Sequence, residues 1–390
     1  MDDCFCVDIY ILEAYDTHFS GYKTFQEEFL KGLVQCDRFK LHIIIEDYPI
    51  ISVKKEIENS ISYTYLPKII QNKFETLEYY LKTTIENTPK MVFFSNFLPA
   101  IFNVKAVRKI FPHAKIIHII HDFPWLSIFS GNEISYMDYI QNREKKLLCP
   151  RDDKFVRYCT YDIIESFNSI DIIVSLCEST YCMLKDFYGV DQEKIRLIPN
   201  GMKDYSVRHL NSERFYIRQK YGFPECELLI LMVGRLTHSK GADRIVKLLN
   251  RIDSSIKYSL IYVGEDDIYQ WIPFEMGNSI ISLGFKSRLD MFEIYSVCDL
   301  GVFPSRFEQC SYVGIEFLMY DIPVIATSSY GVRDMFNAEN SFVVPDCQDG
   351  ISLEYIESNK RSARESYLKN YTSERMIKDY VSLIKELVDN

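Results

Sequence analysis

Glycine and proline are scarce in this chain of 390 residues, with 15 and 13 occurrences. That scarcity excludes collagen-like and low-complexity architectures, which need one or both residues in bulk. Large apolar side chains are abundant instead, with 28 Tyr and 26 Phe, and such a composition does not stay disordered in water. At about 150 residues per domain, the length predicts two or three globular domains.

Basic residues are outnumbered, because 45 Lys and Arg stand against 55 Asp and Glu and leave a net charge of −10. This balance disfavours general binding to nucleic-acid phosphates, although it permits a local basic cleft. We therefore expect no nucleic-acid partner.

Cysteine pairs of the CxxC type are missing among the 11 cysteines. Cys4 and Cys6 alternate within an apolar run, and Cys177 and Cys182 lie about one helical turn apart, so packing is the favoured interpretation of both pairs. Scattered, odd-numbered cysteines suit a reducing compartment, and we expect no metal site.

Basic residues are missing from the first 16 residues, MDDCFCVDIYILEAYD, where a secretory leader would need them. No apolar run approaches the roughly 18 residues of a membrane span. We expect a cytoplasmic protein. Lys105, Arg108, Lys109 and Lys115 surround an apolar pattern that could touch the inner face of a membrane, but a solvated helix face is the favoured interpretation.

Short apolar runs alternate with helical patterns along most of the chain, which predicts parallel α/β sheets covered on both faces. In the first half, predicted strands are Val7–Leu12, Leu41–Ile45, Ile61–Leu66, Met91–Ser95, Lys115–Ile120, Ile170–Val174 and Ile195–Ile198. In the second half they are Leu228–Val233, Tyr258–Val263, Ser279–Leu283, Leu300–Phe303 and Val324–Ala326, with predicted helices over GADRIVKLLNRI, Leu289–Val297 and Val313–Tyr320.

Pro199, Asn200 and Gly201 punctuate the chain strongly at its middle. We predict two doubly wound, Rossmann-like domains, residues 1–200 and 201–372. Residues 373–390 form a terminal helix with one apolar face, expected to dock on the N-terminal domain. The aromatic-rich segment 124–153 is interpreted as an ordinary surface excursion, with a lid or acceptor loop as the alternative.

The first chemical motif is VGRLTHSKGADR, Val233–Arg244, in which a buried strand ends at Gly234 and a helix follows Gly241. Ligands bind at strand carboxyl ends in open α/β sheets, and a helix N-terminus favours anions. Arg235 can fork onto a phosphate and Lys240 adds a point charge. The motif predicts a metal-free diphosphate site, with two solvated cations as the alternative.

The second motif is PSRFEQCSYVGIEFLMYDIPVIAT, which runs from Pro304 to Thr327 and joins a strand, a loop and a helix. Glu308 precedes the predicted helix, and Glu316 lies about one turn inside it. Glu316 can bond a ribose diol while the backbone N–H groups of residues 309–313 face an anion.

These segments resemble the retaining, nucleotide-sugar-dependent glycosyltransferases of family 4, which have the GT-B fold. GRLTHSKG is similar to the family's G-R-(x)4-K-G phosphate loop, and Glu308 through Glu316 to its E-(x)7-E element. LGFKSRLDMFEIYSVCDLGVFPSRFEQ, IDIIVSLCEST, KIRLIPNGM and the N-terminal THFSGYKTFQEEFLKGL carry further likeness. The likeness thins between about Tyr48 and Pro112.

The resemblance implies an acceptor domain followed by a donor domain, facing a central cleft, and a UDP- or GDP-linked sugar as co-substrate with no metal. It implies catalytic roles for Glu308, His121, Arg235 and Lys240. It implies donor contacts from Gly21, Gly234, Leu283, Phe285, Gln309, Cys310, Ser311, Tyr312, Val313 and Glu316. The acceptor would be a glycan, a lipid-linked group or a protein.

Two departures from the family pattern have consequences. Gln309-Cys310-Ser311 stands where the family usually has Gly-Phe-Gly, which could narrow the sugar pocket, and Ser20-Gly21 replaces a glycine pair. His121 ends the predicted strand Lys115–Ile120, where the family often places a His; a structural imidazole is the alternative. We therefore predict a retaining hexosyl-type transferase. An inactive GT-B partner subunit and a GT-B nucleotide-sugar epimerase stay open as alternatives, the latter disfavoured by the E-(x)7-E pattern.

Overall fold

The computed structural model describes residues 6–14, 21–68, 73–96, 101–207, 209, 211–225, 227–272, 279–344 and 350–389. Contacts divide the chain into two compact units. The first contains residues 1–199 together with 373–390, and the second contains residues 200–372. The acceptor and donor roles of the two units stay predictions.

The first unit is built on an eight-stranded sheet with the order β3-β4-β2-β1-β5-β6-β7-β8. All neighbours pair in parallel except β3 and β4. The strands are β1 Val7–Ala14, β2 Phe39–Tyr48, β3 Lys54–Glu58, β4 Ile61–Pro67, β5 Met91–Ser95, β6 Lys115–Ile120, β7 Ile172–Ser175 and β8 Ile195–Leu197.

Seven of these strands were predicted within a few residues, because buried parallel strands are continuous apolar runs. MVFFS in β5, for example, is buried at every position. Strand β3, KKEIE, was missed. It is a polar edge strand that pairs antiparallel with β4, and its charged side chains suit an edge facing water.

Helices of the first unit follow most of its strands. They are α1 Gly21–Val34, α2 Lys73–Thr84, α3 Ile101–Ile110, α4 Pro124–Ile128, α5 Glu133–Gln141, α6 Pro150–Phe167, α7 Glu178–Cys182 and, at the other end of the chain, α14 Ser373–Asp389. A π-helical turn, Met183–Phe187, continues α7.

The segment 124–153 is packed in part, so its interpretation as an ordinary surface excursion is wrong for α4 and α5, whereas residues 141–152 are mostly exposed. It forms α4, α5 and the start of α6. Trp125 stacks on Tyr136 at 4.5 Å between ring centroids, and both are buried. Aromatic burial of this kind outweighs the polar residues around it, because each ring removes a large apolar area from water.

Three of the four cations expected to line a membrane-facing or solvated surface are paired with carboxylates. Lys105 bonds Glu165 at 2.7 Å, Arg108 bonds Asp171 at 2.7 Å, and Lys109 bonds Glu78 at 2.6 Å. The helices that the structure describes include none long and apolar enough to cross a membrane. Cys6 is exposed and Cys177 is buried, whereas Cys4 lies outside the described residues.

The second unit holds a six-stranded, fully parallel sheet with the order β11-β10-β9-β12-β13-β14. Its strands are β9 Leu228–Val233, β10 Tyr258–Val263, β11 Ser279–Ser282, β12 Leu300–Phe303, β13 Val324–Thr327 and β14 Phe342–Val344. Its helices are α8 Asn211–Tyr221, α9 Ile245–Leu249, α10 Arg288–Val297, α11 Tyr312–Met319, α12 Val332–Met335 and α13 Leu353–Asn370.

The long helix predicted over GADRIVKLLNRI is shorter than expected. A 3-10 turn at Ala242–Arg244 leads into α9, which spans only Ile245–Leu249. The helix stops early because Ile252 forms a parallel bridge with Ile351. The apolar stripe itself is buried as predicted, since Ile245, Leu248 and Leu249 all belong to the core of this unit.

Both sheets reverse their strand order beside the first strand, between β1 and β5 in one unit and between β9 and β12 in the other. Open α/β sheets bind ligands in the crevice beyond the carboxyl ends of such strands. The topology therefore predicts that ligands bind near the residues that follow β9 and β12, and near those at the ends of β1, β5 and β6.

Helix α14 packs on α1 within the first unit. Tyr380 contacts Phe29 edge-on, with 4.9 Å between ring centroids. A Cβ added to Gly32 would lie 2.2 Å from Cγ1 of Ile377, so the two helix backbones approach closely only because position 32 has no side chain.

We predict that Gly32→Ala destabilises the protein by about 1–2 kcal/mol, because overpacking exceeds the gain in helix propensity. In an Ile377→Ala background the same change should be neutral or stabilising. Urea unfolding of the four chains of this cycle measures the coupling. Additive effects of the two substitutions would contradict this packing of α14 on α1.

Candidate functional site

The loop after β9 starts at Gly234, whose φ of 116° lies in the region open to glycine. Its N–H donates to the Val263 carbonyl at 2.9 Å, and the Tyr262 hydroxyl donates to the Gly234 carbonyl at 3.0 Å. The backbone is thus held at the exact end of the sheet. Arg235 follows, and it is exposed, without a hydrogen-bond or ion-pair partner among the residues that the structure describes.

Lys240, at the end of the same loop, forms an ion pair with Glu308. Lys240 Nζ donates to Glu308 Oε1 at 2.6 Å, and the glutamate side chain is only 11% exposed. The Glu308 N–H donates in turn to the Tyr330 carbonyl at 3.0 Å. The structure therefore brings together the two predicted residues of opposite charge, one from the loop after β9 and one from the loop after β12.

Backbone contacts fix the two loops against each other. Gly241 has a φ of 70°, and a Cβ there would lie 1.9 Å from the Pro304 carbonyl oxygen. The Arg306 N–H donates to the Ser239 carbonyl at 2.9 Å. Only glycine fits at position 241, so this residue sets the closeness of the loops that carry Lys240 and Glu308.

Arg306 and Asp243 reinforce this contact through a two-pronged ion pair that the sequence reasoning missed. The two guanidinium nitrogens of Arg306 donate to the two oxygens of Asp243 at 2.7 and 2.6 Å, and Nη1 also bonds the His238 carbonyl. A bidentate pair of this kind fixes the relative orientation of the two side chains as well as adding binding energy. Both residues lie inside the quoted motifs, PSRFE and GADR, but nothing in the sequence pairs them.

The loop after β12 runs into α11, whose N-terminus is capped by Ser311. The Ser311 hydroxyl accepts from the Gly314 N–H at 3.4 Å, as a capping serine does. The preceding Cys310 is buried, and its carbonyl accepts from Nδ2 of Asn200 at 2.9 Å. Gln309 is buried as well. The first-turn N–H groups of Tyr312 and Val313 belong to the positive end of the helix.

Glu316 lies one turn inside α11 and is half-buried. It accepts a hydrogen bond of 2.7 Å from the Tyr295 hydroxyl. Burial raises the pKa of Glu316 to about 7, while the bond from Tyr295 and the charge of Arg288 act in the opposite direction. This carboxyl therefore titrates near neutral pH.

Leu283 and Phe285 follow β11, at the outer end of the sheet order. The Leu283 N–H donates to the Tyr262 carbonyl at 2.9 Å, and the Phe285 side chain is 68% exposed. Strands β9 and β10 stand between them and the loop after β12. They lie at the carboxyl end of the same sheet as the ion pair but apart from it.

Gly21 and His121 belong to the first unit. Gly21 is the first residue of α1, and Ser20 lies outside the described residues. His121 follows β6 and stands 3.4 Å from Asn96 Oδ1 through its Nε2. Burial, together with His118, lowers the pKa of His121 to about 3. The imidazole is therefore neutral at physiological pH.

Comparison with known proteins finds glycosyltransferases among the relatives. Residues 213–375 match the family model of glycosyl transferases group 1. An uncharacterized glycosyltransferase of Methanocaldococcus jannaschii is 24% identical over 68% of this chain and 75% of its own length. The lipopolysaccharide glucosyltransferase WaaG of Escherichia coli K12 is 24% identical over 53% of this chain and 57% of its own length.

Solved structures share the fold over almost the whole chain. Sucrose-phosphate synthase of Thermosynechococcus elongatus superposes with a TM-score of 0.69, at 16% identity, over 98% of this chain and 99% of its own. Anabaena HepE, solved with UDP, superposes with a TM-score of 0.70, at 14% identity, over 97% of this chain and 100% of its own. The chain has the GT-B fold, and the family match places a segment of the glycosyl transferases group 1 type in its second half.

The matched family segment, residues 213–375, contains the loop after β9, the loop after β12 and α11. The individual roles assigned to the site residues stay predictions. Within the described ranges, no three His, Cys, Asp or Glu side chains are grouped so that they could hold a metal ion.

We predict that Gly241→Ala costs about 2–4 kcal/mol of unfolding free energy, because both the φ and the Pro304 contact are violated. Gly189→Ala is the matched control: its φ is 66°, but nothing lies within 4 Å of the added Cβ, so the expected loss is about 1 kcal/mol. Urea denaturation measures both. Equal losses would contradict the close approach of the two loops.

Proposed function

We propose that this chain is a glycosyltransferase that moves a hexosyl group from a UDP- or GDP-linked donor to an acceptor hydroxyl, with retention of configuration and without a metal ion. The observation that carries the proposal is the Lys240–Glu308 ion pair. It joins the loops after β9 and β12 at the switch point of the second unit. HepE is solved with UDP and with UDP-glucose, which supports a nucleotide-sugar donor.

The ion pair offers contacts to both sides of a sugar–phosphate bond. A lysine ammonium has three N–H donors and a carboxylate accepts at both oxygens, so each partner keeps capacity after forming the 2.6 Å bond. Lys240 can donate to a donor phosphate oxygen while Glu308 accepts from a sugar hydroxyl. Since the groups touch, the bond that breaks would lie beside both of them.

Departure of the nucleoside diphosphate builds negative charge on the phosphate. Positive potential is supplied by Arg235, Lys240 and the N–H groups at the start of α11. Their attraction to the phosphate grows as its negative charge grows. Fixed donors of this kind lower the barrier because they bind the transition state better than the ground state. No proton transfer to a metal-bound group is required for this step.

Retention follows if the acceptor hydroxyl attacks from the side that the diphosphate leaves. The departing phosphate oxygen can take the acceptor proton, and Glu308 then stabilises positive charge on the sugar and orients it. Glu316 would bind the ribose hydroxyls, and Leu283 and Phe285 would lie beside the base. In the first unit, Gly21 and His121 would contact substrate.

Arg235→Ala should lower turnover about 10²–10³-fold, as does removal of a single donor to a developing anion elsewhere. Its folding should be unaffected, because the side chain is exposed. The assay follows transfer or slow hydrolysis of the nucleotide-sugar that raises the melting temperature most, with UDP-glucose and GDP-mannose in the first screen.

Arg361→Ala is the matched control for that experiment. It also removes one exposed arginine from the second unit, on α13, where the side chain is 88% exposed and pairs with Glu365 one turn away. Its turnover should equal that of the unmodified chain. Unchanged turnover in Arg235→Ala would refute the diphosphate role, and a chain that binds donor without ever cleaving it would favour the inactive-partner alternative.

The affinity for a nucleotide-sugar should depend on pH through Glu316. Only the ionised carboxyl accepts bonds from both ribose hydroxyls, and its pKa is raised to about 7. Binding should therefore be strongest above pH 7 and weaken as the pH falls, by about tenfold for each pH unit below the pKa. Calorimetric titration with the intact nucleotide-sugar measures this, since its diphosphate has no terminal ionisation in this range.

Glu316→Gln separates this titration from any other. The variant should bind more weakly and show no step near pH 7. Tyr295→Phe removes a bond that favours the ionised form, so the step should move to higher pH. A pH step that persists in Glu316→Gln would remove Glu316 from the ribose site.

A further inference from the structure

A chain of hydrogen-bonded side chains occupies the switch point of the first unit. Glu13 is the next-to-last residue of β1, Tyr22 is the second residue of α1, Asn96 follows β5, and His121 follows β6. The Tyr22 hydroxyl lies 2.5 Å from Glu13 Oε1, Asn96 Nδ2 lies 3.0 Å from the Tyr22 hydroxyl, and His121 Nε2 lies 3.4 Å from Asn96 Oδ1. Of these four residues, the site predictions include only His121.

The hydrogen bonds of this chain can run in one direction only while Glu13 is ionised. A carboxylate accepts and cannot donate, so the single proton of the Tyr22 hydroxyl points at Glu13. The Tyr22 oxygen then accepts, and only the amide nitrogen of Asn96 can donate to it. This leaves the Asn96 oxygen facing His121, where the sole compatible partner is a protonated Nε2.

The surroundings of His121 keep its ring neutral, so the ring carries a single proton, either on Nδ1 or on Nε2. Burial and the neighbouring His118 lower the pKa of His121 to about 3, and burial lowers that of His118 to about 4. Both rings are therefore neutral at physiological pH. The edges of Tyr22 and Phe25 pack against the His121 ring at 5.0 and 4.7 Å between centroids, which restricts its rotation.

We propose that Glu13, Tyr22 and Asn96 are positioning residues that hold His121 as the Nε2–H tautomer, so that its Nδ1 presents a lone pair to a substrate hydroxyl. The role toward a hydroxyl rests on the proposed function. The tautomer itself does not, because it is a property of the first unit without any ligand. His121 is then an acceptor at this site and does not donate through Nδ1.

Nitrogen NMR of the full-length chain tests the tautomer directly. Protonated and bare imidazole nitrogens differ clearly in chemical shift, and the seven histidines can be sorted by comparison with His121→Gln. The sample is kept well above pH 7, since burial raises the pKa of Glu13 to about 7. We expect a protonated Nε2 and a bare Nδ1 for His121. The reverse pattern, or an even mixture, would overturn the proposal.

Tyr22→Phe tests whether the tautomer is imposed through the chain. The variant removes the hydroxyl that orients Asn96, so His121 should become a mixture of both tautomers. Tyr136→Phe is the matched control, because it also removes a buried hydroxyl with two partners, Thr160 and Tyr188, in the same unit; its His121 signals should not change. A pure Nε2–H tautomer in folded Tyr22→Phe would overturn the positioning role.

Asn96→Ala provides a second route if Tyr22→Phe does not fold. It removes the acceptor of the Nε2–H bond and should also produce a tautomer mixture, and an unchanged tautomer would again contradict the proposal. These readouts need no donor. A chain that transfers no sugar but shows the expected tautomers would refute the proposed function alone, and an active chain with mixed tautomers would refute this inference alone.

Discussion

The ion pair between Lys240 and Glu308 is possible only because two loops approach to backbone contact at Gly241 and Pro304. An ammonium and a carboxylate on separate loops lose side-chain entropy when they meet, and the free energy of an exposed ion pair offsets little of that loss. Here the backbone has already fixed the separation, and the Arg306–Asp243 fork holds it. The site therefore depends on a glycine that has no chemistry of its own.

The two units use the same topological feature in different chemical ways. In the second unit, the switch point collects charge: Arg235, Lys240, Glu308 and a helix N-terminus. In the first unit, it collects neutral groups joined by hydrogen bonds, from Tyr22 and Asn96 to His121, with Glu13 as the terminal acceptor. Several positive groups suit a phosphate, whereas hydrogen-bonding groups that are mostly neutral suit hydroxyl groups, which need directed acceptors more than they need potential.

Much of the fold was predictable because buried parallel strands have a signature that depends on their own residues alone. LLILMV and MVFFS need no knowledge of their neighbours to be recognised. Strand β3 was missed because an exposed edge strand has no such signature, and its partner β4 supplies the reason for its pairing. The early end of α9 was missed because the bridge between Ile252 and Ile351 joins residues far apart in the sequence.

The site residues that the sequence motifs select also depend on local sequence alone, whereas those that the motifs do not select depend on distant partners. Arg235, Lys240 and Glu308 lie in loops that follow strands, and Glu316 lies one turn inside α11, so motif and position suffice to select them. Tyr295, Asp243, Arg306 and Asn200 act through partners that only folding brings near, such as Glu316 for Tyr295. Aromatic residues of the segment 124–153 were misjudged for the same reason, since their burial depends on one another.

Residues 200–372 interrupt a unit whose last helix, α14, is made after them. The two ends of this insertion meet side by side, where the Met202 N–H donates to the Tyr371 carbonyl at 2.9 Å and Met202 bridges Thr372. During synthesis, α1 must therefore wait for its partner until the whole second sheet has left the ribosome. The side of α1 that α14 covers, at Phe29 and Gly32, therefore lacks this partner until α14 is made.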